Sequence, residues 1–228
     1  MATDLVVYGL KGSPFVRKVQ VFLAEKGVAY DFEMACPFPA PDWFKEISPA
    51  KRIPVLRDRS VGAEGVAGTI PDSSAICAYL ERKHPQPPLY PSADFDYARA
   101  LWFEEYADFE LAMRVGLGIF RPLVLARFFG QEPDVERARK TIREELPPIF
   151  DYLEQSIAGR QFFVAEMFSI ADIAVASQFV NFHHAGAKID AARWPSLAGY
   201  VDRVHARPSF AECIEAERGL IPPPEFTL

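Results

Sequence analysis

Cysteine is scarce in this sequence, and the three residues present, Cys36, Cys77 and Cys213, fall at no metal or redox spacing. Without a CxxC pair, neither a structural zinc site nor a dithiol redox centre is expected, and a reduced, cytoplasmic protein fits best. Histidine is nearly as rare, with four residues: His84 and His205 stand apart, and His183 and His184 are adjacent. Neighbours on a helix point about 100° apart, so the pair cannot converge on one ion as an i, i+4 pair can. No metal is therefore expected. The chain has no run of basic residues, and its formal net charge is -6. That argues against nucleic acid or an anionic membrane as partner. No apolar run reaches the length of a membrane span, and no basic segment followed by an apolar stretch opens the chain, so neither a membrane protein nor a secretion signal is expected. Walker and GxGxxG phosphate loops are absent as well.

Hydrophobic residues make up 50% of the 228, ample for a core, and 20 prolines punctuate the chain. Leu5-Val6-Val7-Tyr8 reads as a strand, followed by a turn at Lys11-Gly12. A helix then begins at Ser13-Pro14 and carries Phe15, Val19, Phe22 and Leu23 at helical spacing until Gly27. Residues 29–34 alternate as a second strand would. The crossover helix between them predicts a parallel βαβ unit. A proline-rich connection at 36–41 and a short helix near Trp43–Ile47 come next. Val55-Leu56 reads as a third strand, a glycine-bearing loop runs from 57, a fourth strand covers 66–70, and a helix opens at Pro71-Asp72-Ser73-Ser74. The first part is thus βαβ followed by ββα.

Residues 85–93 read as a linker, dividing 1–84 from a wholly helical 94–228. In the helical part, one helix is expected from Phe95 to about Phe120, ending near Pro122. A second, from Pro133 to Ile157, is expected to kink or divide at Pro147-Pro148. Ser169 and Asp172 have capping-box spacing, with Phe168 and Ile173 at the positions of a hydrophobic staple, which marks the start of a buried helix. Trp194-Pro195 and Pro208 start two more, and the proline-rich tail after Ile221 reads as irregular.

Ser13 is where chemistry is best placed. Its oxygen can cap the helix by accepting from a first-turn amide, and Pro14 suits the first helical position. The hydroxyl therefore stands at the positive end of a helix, a place suited to an anion. Many serines at such positions do nothing beyond capping.

Three ordered motifs give the chain a resemblance. Ser13-Pro14-Phe15-Val16-Arg17-Lys18-Val19, Arg52-Ile53-Pro54-Val55-Leu56 and Asp72-Ser73-Ser74-Ala75-Ile76, followed by the Ser-Ile-Ala-Asp capping box, are together similar to the soluble glutathione S-transferases. The resemblance is to the serine-type classes and covers about residues 4–217. It implies an α/β thioredoxin-like N-terminal domain, an all-α C-terminal domain and a homodimer. It also implies a transferase that joins glutathione to small hydrophobic electrophiles in detoxification.

The resemblance assigns roles residue by residue. Ser13 would donate its O–H to the glutathione sulfur and hold it as thiolate, without itself ionising. Ile53 would pair its backbone with the cysteinyl part of glutathione, with a cis bond to Pro54; read alone, Pro54 is a trans proline starting an edge strand. Asp72 would bind the γ-glutamyl ammonium and Ser73 the carboxylate at a helix start. Arg52 would face the glycyl carboxylate, Phe15 would line the glutathione site, and Arg17 would steady the fold. Leu10, Phe38, Phe109, Met113 and Phe120 are candidates for the hydrophobic-substrate wall.

Some features depart from the family pattern. The usual Asn-Pro-x-Gly-Lys is Ser48-Pro49-Ala50-Lys51-Arg52 here, which removes the glycine. Asp72 replaces a commoner glutamate. The 57–71 loop is long and is expected to reshape the edge of the glutathione site. Cys36 is an alternative reactive thiol, whereas Cys77 and Cys213 read as packing residues. A glutathione-dependent isomerase or dehalogenase uses the same thiolate, and a non-catalytic binding or regulatory protein could share the fold.

Overall fold

A computed structural model describes residues Thr3–Ile221; the proline-rich tail after Ile221 lies outside the described residues. The chain divides into two compact units, one up to Leu89 and the other from Tyr90 onward.

The first unit is thioredoxin-like. β1 (Leu5–Gly9), α1 (Pro14–Glu25) and β2 (Asp31–Met34) form the parallel crossover, with Val6 opposite Asp31 and Tyr8 opposite Glu33. A short α2 (Asp42–Ile47) leads to β3 (Val55–Asp58), which runs antiparallel to β1 and places Val55 opposite Tyr8. β4 (Thr69–Ile70) returns antiparallel to β3, and α3 (Ser73–Lys83) closes the unit. The strand order is β2-β1-β3-β4. β1 is buried along its whole length, as expected of a central strand covered on both faces. Val6, Tyr8, Phe44, Ile47 and Val55 form one core cluster, and α1 packs against α3.

The strand directions give the sheet two unlike ends. β1 and β2 finish where β3 begins and where β4 finishes. The turn after β1, the 35–41 connection, the 48–54 segment and the start of α3 therefore share one end, here called the crossover end. The loop between β3 and β4 lies at the other. The expectation that this loop reshapes the edge of the glutathione site is thereby corrected, because the loop leaves from the far end of β3.

The loop has its own support. Arg57, 7% exposed, donates to the carbonyls of Ala67 at 2.8 Å and Gly65 at 2.7 Å. Gly68 has φ 69°, and a Cβ there would meet the Asp58 carbonyl oxygen at 2.4 Å, so only glycine fits. Beneath the loop, Asp58 accepts hydrogen bonds from the Ser60 amide and hydroxyl, from Tyr79 and from Lys83. Burial pushes the Asp58 carboxyl upward, but the hydrogen bonds from Lys83, Ser60 and Tyr79 outweigh it and hold the group well below the usual carboxylate range. A carboxyl so depressed stabilises the fold above its unfolded pKa of about 4, and that stabilisation is lost as pH falls towards the folded value. Asp58→Asn should therefore cost about 3 kcal/mol at pH 7, and the cost should shrink as pH falls below about 4. Urea unfolding at pH 7 and pH 3 checks this. An equal cost at both values would remove Asp58 as the acid-labile group.

The second unit is helical. α4 (Asp94–Tyr106) passes into wider π-helical winding at Ala107–Leu111 and Met113–Leu125, then a last turn, α5 (Ala126–Phe128). The expected stop near Pro122 is corrected: Pro122 sits inside the second π-helical stretch, where the ordinary bonding ladder is already broken and a missing N–H is accommodated. α6 (Val135–Lys140), a π-helical turn at Thr141–Glu145 and α7 (Pro147–Ile157) come next, with Pro147-Pro148 opening the later helix. Gly118 lets Thr141 come close, since a Cβ at 118 would meet its Oγ1 at 2.6 Å.

α8 (Ile170–His184) is the axis of this unit. It is buried from Ile170 to Phe182 and packs on α4, on both π-helical stretches and on α9 (Pro195–His205). α10 (Pro208–Arg218) comes last. At the start of α8, Asp172 accepts from the Ser169 amide at 3.0 Å, the Phe163 amide at 3.1 Å and the Tyr200 hydroxyl at 3.0 Å. The capping box thus also ties the preceding loop and α9 to α8. Burial pushes the Asp172 carboxyl up to about 6, despite these hydrogen bonds.

Candidate functional site

Three chain segments arrive at the crossover end of the first-unit sheet, each shaped by its local sequence. The first is the turn after β1. Gly9 ends the strand, and a Cβ there would meet Val16 Cγ2 at 2.6 Å, so α1 starts hard against the strand. Gly12 has φ 89°, and Ser13 follows in extended conformation as N-cap, with Pro14 in the first turn. The Val16 amide donates to Ser13 Oγ at a long 3.4 Å. That bond uses the oxygen as acceptor and leaves the hydroxyl proton free to donate elsewhere. Phe15 is half-buried beside it.

The second segment is 48–54. Buried Ser48 donates its hydroxyl to the Arg52 carbonyl at 2.8 Å and accepts from the Arg52 amide at 3.1 Å. Lys51 takes φ 53°, the left-handed backbone that glycine adopts without cost. The segment therefore keeps its shape without the glycine, with the Ser48 side chain pinning the turn. Arg52 is exposed. The Ile53–Pro54 bond is cis. Among the described residues, nothing pairs with the N–H or the carbonyl of Ile53. Pro54 is buried and leads straight into β3.

The third segment is the start of α3. Asp72 is its N-cap, and one carboxylate oxygen accepts the Ser74 and Ala75 amides, each at 3.0 Å. Asp72 is exposed and Ser73 is 5% exposed. Lys18, buried in α1, donates to Ser74 Oγ at 3.0 Å, linking the two helices that start at this end. Two helix N-termini and an unpaired edge of peptide backbone thus share one end of the sheet. Such an arrangement offers amide donors for anions and a place for an extended peptide to pair.

Leu10 is half-buried at the same end, and Phe38 is 67% exposed in the connection after β2. Cys36, in that connection, is exposed, and its thiol donates to the Phe38 carbonyl at 3.0 Å. Phe109 and Met113 belong to the second unit and are 61% and 43% exposed, whereas Phe120, in the same unit, is buried at 7% exposed. Two contributors are absent from the motif-based reading. Ser48 is visible only as a short polar residue ahead of Pro49, and the Lys18–Ser74 contact joins residues 56 apart. Among the described residues, no group of three or more histidines, cysteines and carboxylates is placed to hold a metal ion.

Comparison with known proteins defines the class. Residues 7–88 match the glutathione S-transferase N-terminal domain and residues 120–217 match the glutathione S-transferase C-terminal domain. The chain belongs to the glutathione S-transferase family. Among solved structures, it is similar to a glutathione S-transferase from Rhodospirillum rubrum, with 28% identity, TM-score 0.84 and coverage of 97% of this chain and 96% of that one. It is also similar to one from Methylobacterium radiotolerans in complex with glutathione sulfonate, with 26% identity, TM-score 0.73 and coverage of 99% and 98%. A stringent starvation protein A homolog from Haemophilus ducreyi is 25% identical over 90% of this chain and 86% of its own length.

Proposed function

We propose that this protein binds glutathione at the crossover end of its first-unit sheet and holds the thiol as thiolate for attack on small hydrophobic electrophiles. The observation that carries the proposal is the Ile53 peptide, unpaired among the described residues, at the end of the sheet where Ser13 and Asp72 start their helices. Glutathione is an extended peptide with a thiol and two carboxylates, and each part has a counterpart. Ile53 pairs with the cysteinyl peptide, as one strand pairs with another. Ser13 donates to the sulfur, with the helix field favouring the anion. The second carboxylate oxygen of Asp72 takes the γ-glutamyl ammonium, and Ser73 takes the carboxylate. Arg52, exposed at the neighbouring turn, faces the glycyl carboxylate, and Phe15 and Pro54 complete the walls.

Within the first unit, half-buried Leu10 and exposed Phe38 offer apolar surface to a hydrophobic co-substrate. On the strength of the family, the reading extends to a cytoplasmic homodimer acting in detoxification. No helix among the described residues is long and apolar enough to cross a membrane. A second reading, a regulatory protein that does not catalyse, is favoured by the similarity to the stringent starvation protein A homolog.

Calorimetric titration with glutathione separates the two. The native protein should bind at or below millimolar concentration. Asp72→Asn keeps a capping oxygen for α3 but removes the charge, and should bind about tenfold more weakly or worse, equivalent to about 1.4 kcal/mol. Absence of native binding at about ten millimolar would discard the enzyme reading in favour of the regulatory one.

A further inference from the structure

Ser48 is fully buried where α2 runs into the 48–54 segment, and each polar group it carries is engaged by a neighbour. Its amide donates to the Phe44 carbonyl at 2.8 Å, and its carbonyl accepts the Lys51 amide at 2.8 Å. Its hydroxyl takes both backbone groups of a single residue, donating to the Arg52 carbonyl and accepting from the Arg52 amide. The helix behind this grip is itself fixed, because Phe44 and Ile47 lie in the core cluster with Val6, Tyr8 and Val55. The hydrophobic core thus holds α2, α2 ends on Ser48, and Ser48 holds Arg52.

The consequence falls on the next residue. The Arg52 carbonyl and the Ile53 N–H belong to one peptide unit, and that unit is trans. In a planar trans peptide the carbonyl and the N–H point in opposite directions. A serine hydroxyl has one proton to give, and here it goes to the Arg52 carbonyl. That bond draws the oxygen towards the end of α2 and so turns the Ile53 N–H away from it. Rotating the unit would cost the buried hydroxyl its acceptor. Accepting the bond also polarises the peptide, which strengthens its N–H as a donor. The Ile53 side chain packs on the core cluster, so the residue is held from that side as well. Among the described residues, its N–H has no partner. A donor that is aimed, polarised and open suits a carbonyl brought by a ligand.

We propose that Ser48 is a positioning residue for glutathione: its hydroxyl aims the Ile53 N–H at the cysteinyl carbonyl of the ligand and thereby sets affinity. It touches neither the ligand nor the thiol. This inference rests on the glutathione reading above and names a residue that tunes it.

The test compares the native protein with Ser48→Ala, which removes the hydroxyl alone. In the ligand-free, isotope-labelled proteins, the Arg52 amide of the variant should exchange with solvent about tenfold faster, and the Ile53 amide signal should move. Calorimetry on the folded variant should give a glutathione Kd about tenfold higher. With a small aryl halide, KM for glutathione should rise by a similar factor while kcat stays within about twofold. The thiolate band of bound glutathione should titrate as in the native complex, because Ser13 is unchanged. A residue that only supports the fold would lower the unfolding midpoint and leave the Kd of the folded protein as it was. Should Ser48→Ala fail to fold, Ser48→Cys keeps the shape with a weaker donor and should move the same readouts in the same direction. Native binding with an unchanged Kd in the folded variant would overturn the role of Ser48 and leave the glutathione reading standing. A fall in kcat with KM unchanged would overturn it too. Absence of native binding at about ten millimolar would overturn the glutathione reading itself, and this inference with it.

Discussion

Replacing Ser13 with alanine should raise the thiol pKa of protein-bound glutathione by about two units, back towards the free value of about 8.5. At about pH 6.5 the bound thiolate should then fall from about half to about 1%, and conjugation of a small aryl halide should slow roughly fifty-fold at that pH. The cause is local. In the native protein the Ser13 oxygen already accepts the Val16 amide, so its proton is the part left for the sulfur. Glutathione should still bind, because the Ile53 peptide and the start of α3 are untouched. Loss of the cap should cost about 1 kcal/mol of stability, too little to unfold the chain. Ser13→Thr keeps both the cap and the donor, and should keep most of the thiolate. The measurement is the ultraviolet thiolate band of bound glutathione against pH. A Ser13→Ala complex that titrates like the native one would move the chemistry away from Ser13, and Cys36 in the neighbouring connection would be the next residue to change.

The second large effect concerns stability. Asp172→Ala should destabilise the protein by about 3 kcal/mol at pH 7, because it strands the buried amides of Phe163 and Ser169 and the hydroxyl of Tyr200. That is a large share of the roughly 5–15 kcal/mol that holds a typical domain. The pH dependence runs opposite to that of Asp58. The folded Asp172 carboxyl, raised to about 6 by burial, holds its proton where the unfolded one has released it. Between about pH 4 and 6 the native state therefore binds more protons, and the Asp172 contribution declines as pH rises. The gap between native and variant should be wider at pH 4 than at pH 7. Urea midpoints at the two values decide it; a gap that widens with pH would show that the hydrogen bonds outweigh burial and that the carboxyl is ionised throughout.

Much of this architecture is legible in the sequence where the cause is local. Ser13-Pro14, Asp72 and the Ser169–Asp172 box mark helix starts because capping is a matter of a few neighbouring residues. The parallel pairing of β1 and β2 follows from the intervening helix. The features that escaped depend on contacts distant in sequence. Pro122 reads as a helix end, yet the winding around it had already changed to π-helix, a change with no clear mark in the sequence. The 57–71 loop reads as a neighbour of the segments proposed to bind glutathione, and only the antiparallel register of β3 sends it to the opposite end of the sheet. His205, apart from His183 in sequence, meets its ring only because α9 packs on α8, which no local pattern encodes. Of the residues proposed to hold glutathione, Ser13, Ile53, Asp72 and Ser73 stand in motifs, whereas the part played by Ser48 in shaping their neighbour is seen only once its hydroxyl is found bridging both backbone groups of Arg52.

The loop held by Arg57 has a practical consequence. Its outer residues Ala63 and Glu64 are accessible from solvent, while its inner carbonyls are gripped by a buried guanidinium. Added length there leaves the strands, their register and the Ser13 turn as they are. The position is accordingly a natural port for a fluorophore or an epitope, and a place where inserted segments can diversify by evolution without touching the chemistry at the far end of the same sheet.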